Sequence, residues 1–200
     1  MPQFDLRNIK CAKYVNNGGT ITYTNVQDVG DAMTANLELR YAEGRLYAES
    51  ALAEYMRKAT GGTISLGVKY IKSSAQQLMF GMLGKSRSVS YTPTGSTAST
   101  SATVTGLQSA GKANGSYVGI SFYAPDMVDG VEKYTCVFVS KALFGPPSMS
   151  LQTAGESIVF NTPTTSGEFL ASDGGDKALM EVAICDDENE AIAWCTAVFA

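Results

Sequence analysis

Three carboxylates share one short stretch of the chain: Asp126, Asp129 and Glu132, in D-M-V-D-G-V-E. Paired carboxylates can divide the acid and nucleophile roles of glycoside hydrolysis. Here they sit around Gly130 between two strand-like runs, which is the composition of a solvated turn. Histidine is absent from the sequence. That removes the usual general base near neutral pH and the commonest metal ligand, and it rules out Ser-His-Asp and Cys-His chemistry within one chain. The cysteines, Cys11, Cys136, Cys185 and Cys195, match neither zinc nor C-x-x-C spacing. Free, mostly buried thiols are expected, with a Cys185–Cys195 disulfide as the disfavoured alternative. The glycine pairs at 61–62 and 174–175 lack the strand–helix context of a phosphate loop. No catalytic residue, cofactor or metal is expected.

Such a chain must then act through its surfaces. Two hundred residues suit one domain over 1–200, able to bury roughly 70% of the unfolded surface. Charged residues make up 17%, against about 25% in an average soluble protein. The shortfall points to surface that is covered in the working state. A net charge of -4 and the lack of any Lys/Arg run argue against a nucleic-acid-binding face. The N-terminal M-P-Q-F-D-L-R-N-I-K has no apolar signal region, and no stretch is long enough for a membrane span. Synthesis in a cytoplasm and no membrane anchor are expected.

The positioning elements read mainly as strands. Residues 1–9 look like an arm. Lys10–Val15 and Thr20–Thr24 flank N-N-G-G and predict a hairpin. Met33 to Tyr41 alternates as a half-buried strand, with a turn expected at Ala42–Gly44. Ser50–Thr60 has helical spacing at Leu52, Tyr55, Met56 and Ala59, closed by Gly61-Gly62 as a helix end or a hairpin turn. Thr63–Ile71 follows as a strand. Ser73–Leu83 predicts a helix with a capping box and an apolar stripe through Ala75, Leu78, Met79, Met82 and Leu83, ended by Gly84.

Lys85–Ser116 holds 14 Ser or Thr in 32 residues. It is either a flexible loop or a β-hairpin that orders against a partner, with its tip near Thr94-Gly95-Ser96. The region 117–170 is the organising one. Val118, Ile120 and Phe122 alternate, and Tyr134–Phe144 is apolar on both alternating sets, so it must be covered twice, by a core or by a partner chain. Thr164–Gly167 reads as a loop and Glu168–Ala171 as a short extended piece. Met180, Val182 and Ile184 form a last strand face. Asp187 and Glu190 predict the cap of a final helix with Ile192, Cys195 and Phe199 on one side. The sum is an antiparallel β-sandwich or barrel with a flanking helix and a C-terminal helix.

Four segments resemble a known family: Y-A-E-G-R-L-Y-A-E-S-A-L-A-E-Y (41–55), T-G-G-T-I-S-L-G-V (60–68), F-Y-A-P-D-M-V-D-G-V-E-K-Y (122–134) and V-F-V-S-K-A-L-F-G-P-P-S-M-S-L-Q-T-A-G-E-S-I-V-F-N-T-P (137–163). The chain is similar to the major tail, or tail tube, proteins of long-tailed, siphovirus-type bacteriophages and prophages. The resemblance spans most of residues 2–200, with 85–116 variable against the pattern. It implies a structural virion protein whose hexameric rings stack into a tube for DNA ejection. It also implies the tape measure protein and the tail tip and terminator proteins as partners, assembly in the host cytoplasm, and an extended conformation for 41–68 in place of a helix. It carries no catalytic residue.

Tube stacking uses open, head-to-tail contacts, and an acidic chain suits a duct through which DNA passes without specific binding. Glu38, Glu43, Glu49 and Glu54 are expected to face that duct. Val89, Tyr91, Thr94, Gly95, Val104 and Leu107 are expected in a ring-stacking element. The alternative is a β-sandwich binding module for a receptor or carbohydrate, which exposed aromatics at loop tips would favour.

Overall fold

The computed structural model describes residues 5–48, 51–109, 115–128, 130–148, 153 and 162–200. The fold is mainly β and antiparallel, with two helices among the described residues. Among the described residues ten strands run in chain order: β1 (Arg7–Asn17), β2 (Thr20–Gly30), β3 (Ala32–Ala48), β4 (Ala51–Val68), β5 (Leu83–Tyr91), β6 (Thr100–Gln108), β7 (Val118–Val128), β8 (Val131–Phe144), β9 (Thr164–Phe169) and β10 (Met180–Cys185). The helices are α1 (Ser73–Phe80) and α2 (Glu188–Ala197). The main sheet has the order β2-β1-β7-β8-β9-β4-β3, and β10 pairs with β8 beside this path. β5 and β6 form a separate two-stranded sheet.

The main core lies inside the curl of this sheet. Ile9, Val29, Ile64, Leu66, Val118, Ile120, Val139 and Phe169 meet there, with Ala75, Leu78 and Met79 of α1 closing it. The opposite face of β1, β7 and β8 is covered by α2. Tyr23, Phe138 and Phe199 pack edge to face at centroid distances of 5.4–5.6 Å. Cys136, Cys185 and Cys195 are buried beside Ala191. The two-faced apolar β7–β8 pair is therefore covered on both sides by its own chain. Gly119 makes this possible: a Cβ there would stand 2.7 Å from the Tyr23 ring and 3.1 Å from Phe138.

Several elements differ from the sequence reading, each for a physical reason. Residues Arg7 to Ile9, expected in an arm, begin β1, and Ile9 is a core residue. The N-N-G-G turn forms, with Gly18 and Gly19 at φ 62° and 95° and the Gly19 N–H donating to Asn16 Oδ1 at 2.8 Å. No turn forms at Ala42–Gly44; β3 runs on, with Gly44 opposite Met56. The residues described from Ala51 to Thr60 are strand, not helix, because pairing along the whole of β3 outweighs local helix propensity. Ser50 and Glu49 lie outside the described residues.

Gly61 and Gly62 are in mid-strand, not at an end. Gly61 has φ 149°, and a Cβ on Gly62 would lie 2.4 Å from the Phe169 ring. α1 stops earlier than expected, with Gly81 as its left-handed cap at φ 64°. Its capping box does not form: the N-cap is Lys72, and Gln76 Nε2 instead donates to the Ile71 carbonyl at 2.8 Å. Thr164–Gly167 is strand β9, not loop, held between β4 and β8. α2 does carry the expected cap. Asp187 Oδ1 accepts the Asn189 N–H at 2.8 Å, and Glu190 Oε2 accepts the Asp186 N–H at 3.0 Å. Ile192 is exposed, and Ala191 takes its expected place in the core. All four cysteines are free thiols. Cys185 Sγ lies 3.7 Å from Cys136 Sγ. Burial pushes the Cys195 thiol up to about 11.

Candidate assembly surfaces

Residues 83–108, which hold most of the Ser/Thr-rich stretch, form a regular hairpin. β5 and β6 pair without a bulge from Leu83 opposite Gln108 to Tyr91 opposite Thr100. Alternation sorts the side chains by chemistry. Lys85, Arg87, Val89 and Tyr91 share one face with Val104; Ser86, Ser88 and Ser90 face Thr105, Thr103 and Ser101 on the other. Ser86 and Thr105 hydroxyls are 3.1 Å apart, and those of Ser90 and Ser101 3.3 Å. The tip turns through Gly95 at φ 83°, with the Ser96 N–H donating to the Pro93 carbonyl at 3.0 Å. Every residue of β5 is exposed, and in β6 Ala102 and Leu107 alone are half-buried. Of the expected stacking residues, Val89, Tyr91 and Val104 are brought together. Leu107 is on the hydroxyl face opposite Gly84, and Thr94 and Gly95 are at the exposed tip.

The distal half of β3–β4 is a second bare hairpin. Tyr41, Glu43 and Arg45 stand opposite Ala59, Arg57 and Tyr55. Arg57 lies 3.6 Å from the Tyr41 ring centroid, and Arg45 lies 5.7 Å from that of Tyr55. Glu43 bridges Arg45 at 3.5 Å and Arg57 at 3.6 Å. The nearby Glu43 carboxylate also raises the Tyr55 phenol above its ordinary range. The other face carries Leu46 opposite Glu54 and Gly44 opposite Met56. The expected duct residues therefore divide. Glu38 and Glu54 are on one face, Glu43 is ion-paired on the other, and Glu49 lies outside the described residues. Glu38 lines a polar trough of about 590 Å³ with Asn36, Thr63, Ser65, Ser166 and Glu168. Arg40 pairs with Glu168 across this wall at 2.8 Å.

The third surface is the edge of β10, which pairs with β8 alone among the described residues. The expected last strand forms, with Met180, Val182 and Ile184 alternating along one face. That face is the outer one: Val182 is 52% and Ile184 65% exposed, whereas Ala183 and Cys185 pack under α2. The small residues fit beneath a helix, and that size difference was the available signal. Acids crowd the adjoining turn. Asp186 pairs with Lys133, while Glu188 meets Arg7 at 2.5 Å and the Tyr123 hydroxyl at 2.8 Å. The Tyr123 and Arg7 bonds hold the Glu188 carboxyl below its ordinary range.

The carboxylate stretch does not converge. Asp126 is buried opposite Lys133, and Glu132 is exposed opposite Met127 one position along, so the two point to opposite faces. Asp129 lies outside the described residues. Among the described residues no group of three His, Cys, Asp or Glu side chains could hold a metal ion, and no helix is long and apolar enough to cross a membrane. No protein-family model matches the chain, and a search of curated proteins finds no match.

Proposed function

We propose that this chain is a tail tube subunit. It assembles into hexameric rings that stack as a conduit for DNA ejection from a long-tailed phage, alongside a tape measure protein and tail tip and terminator proteins. One observation carries the reading: β5–β6 is a regular two-stranded hairpin bare on both faces. A hairpin of this kind is marginal in water by itself and gains from a third strand or a covering layer. An open sheet edge invites pairing with another chain. The bare distal half of β3–β4 and the exposed β10 edge add to it. The polar wall around Glu38 and Glu168, with Arg40 as its cation, suits a duct lining that does not hold DNA.

Electron microscopy of the purified protein, with light scattering at rising concentration and seeding by tail tip complexes, tests the proposal. Hollow filaments or rings are the expected result; a persistent compact monomer under all these conditions overturns it.

A specific observation favours a second reading, a carbohydrate- or receptor-binding module. Tyr41, Tyr47 and Tyr55 are 40%, 61% and 48% exposed on the distal β3–β4 hairpin, and flat aromatic faces can stack on ligands. A glycan-binding screen of the monomer that loses its signal on Tyr55→Ala would support this reading over the first.

A further inference from the structure

The open edge of β10 and the bare hairpin have matching patterns. Over β10, Met180, Val182 and Ile184 share one exposed-to-half-buried face, and Asp186 follows in the same alternation. Over β5, Tyr91, Val89, Arg87 and Lys85 share one face in the reverse direction. Charge is segregated as well. Residues 83–108 hold two cations and no acid; residues 178–200 hold five acids and no cation. Local pairing offsets the acidic end only in part: Lys133 meets the exposed Asp186 and Arg7 meets Glu188, while Asp187 and Glu190 cap α2 and Glu181 has no cation among the described ion pairs. The β2 edge lacks this combination, since its Asp28 pairs with Lys10 and Lys72 at 3.0 Å each.

From this we infer that β5 of one copy adds as an antiparallel strand to the β10 edge of a second copy. Val89 stands opposite Val182, Tyr91 opposite Met180, Arg87 opposite Ile184 and Lys85 opposite Asp186. The inference rests on the self-assembly reading and names the acceptor for its hairpin. Main-chain hydrogen bonds along the edge supply affinity, and the alternate side chains supply the register. Direction follows from charge. A parallel strand with Val89 opposite Val182 would set Lys85 opposite Ala178, away from the acids, whereas the antiparallel one brings apolar and charged partners into line together. The hydroxyl face of the hairpin then turns to the α2 side of the sheet.

Charge reversal in the full-length chain tests it. Lys85→Glu and Asp186→Lys are both exposed changes, and each alone is expected to slow filament elongation about tenfold, as like charges set opposite each other do at an interface rim. The pair combined is expected to recover most of the rate. A second variant reads the register directly. Directly opposite residues stand at about 5 Å between Cβ atoms, so Val89→Cys with Val182→Cys is expected to give disulfide-linked ladders in assembled material under mild oxidation. If the wild type elongates while the reversals have no effect, or the combination is no better than either alone, or no intermolecular link forms, the strand-addition inference is overturned and the tube reading survives. If the wild type never elongates, the tube reading itself fails.

Discussion

The β7–β8 and β5–β6 hairpins have the same local architecture and opposite surroundings. Both are antiparallel pairs of long strands joined by a turn. β7 is buried from Val118 to Asp126, with the sheet core on one side and α2 on the other. β5 is exposed at every position. The chain has placed its aromatic and branched side chains in the first and hydroxyls and two cations in the second. The first hairpin can therefore be a framework that folds with its own chain. The second gains from a cover that its own chain does not give it. Backbone pairing alone does not distinguish them; what differs is the hydrophobic layer.

Substitutions should expose that difference, and the largest effect belongs to the covered hairpin. Phe138→Ala removes a ring packed against both Tyr23 and Phe199 and should cost about 3–5 kcal/mol in urea unfolding. Val104→Ala on β6 should change the same measurement by no more than about 0.5 kcal/mol, because Val104 is 54% exposed. Equal costs would erase the distinction between the two hairpins. Glycines give the next contrast. Gly119→Ala forces a Cβ against Tyr23 and Phe138 and should destabilise by about 1–3 kcal/mol, whereas Gly106→Ala in β6 meets nothing within 4 Å and should be neutral or slightly favourable. Thermal melts of both variants compare them.

A smaller effect is expected at the helix that covers the first hairpin. Asp187→Ala removes the α2 cap and should cost about 1 kcal/mol, seen as a lowered Tm and faster exchange of the α2 amides. The smallest is a pH dependence. Hydrogen bonds from Lys10 and Lys72 lower the Asp28 carboxyl, and bonds from Tyr123 and Arg7 lower Glu188. A carboxyl depressed in the folded state contributes stability that is present above its unfolded value, about 4, and is lost as pH falls through the folded value. Tm should therefore drop on acidification below about pH 4, with a shallower acid limb in Asp28→Asn. The β5–β6 stretch has no carboxylate, so its charge should stay constant over the same range.

The mainly antiparallel β fold with its two helices was legible in the sequence, because alternation at Val118–Phe122 and the capping pair at Asp187 and Glu190 are local signals. The strand at 51–60 was not legible from spacing. Leu52, Tyr55, Met56 and Ala59 also fit a helical face, and the choice is made by β3, a partner that periodicity within one segment cannot show. Which face of β10 is covered was not legible for a related reason: α2 selects the small Ala183 and Cys185 and leaves Val182 and Ile184 outside. At the candidate surfaces, the grouping of Val89, Tyr91 and Val104 follows from hairpin register, while the separation of Glu43 from Glu38 follows from the pleat. Composition allowed 85–116 to be loop or hairpin, and over 83–108 the pairing that starts with Leu83 opposite Gln108 makes it a hairpin.

Hydrogen–deuterium exchange across residues 83–108, in the dispersed subunit and again in assembled material, tests most directly whether the bare hairpin is an assembly element. Fast exchange in the subunit and strong protection after assembly, with β7 protected in both, is the predicted result. Hairpin amides that exchange alike before and after assembly would contradict the account.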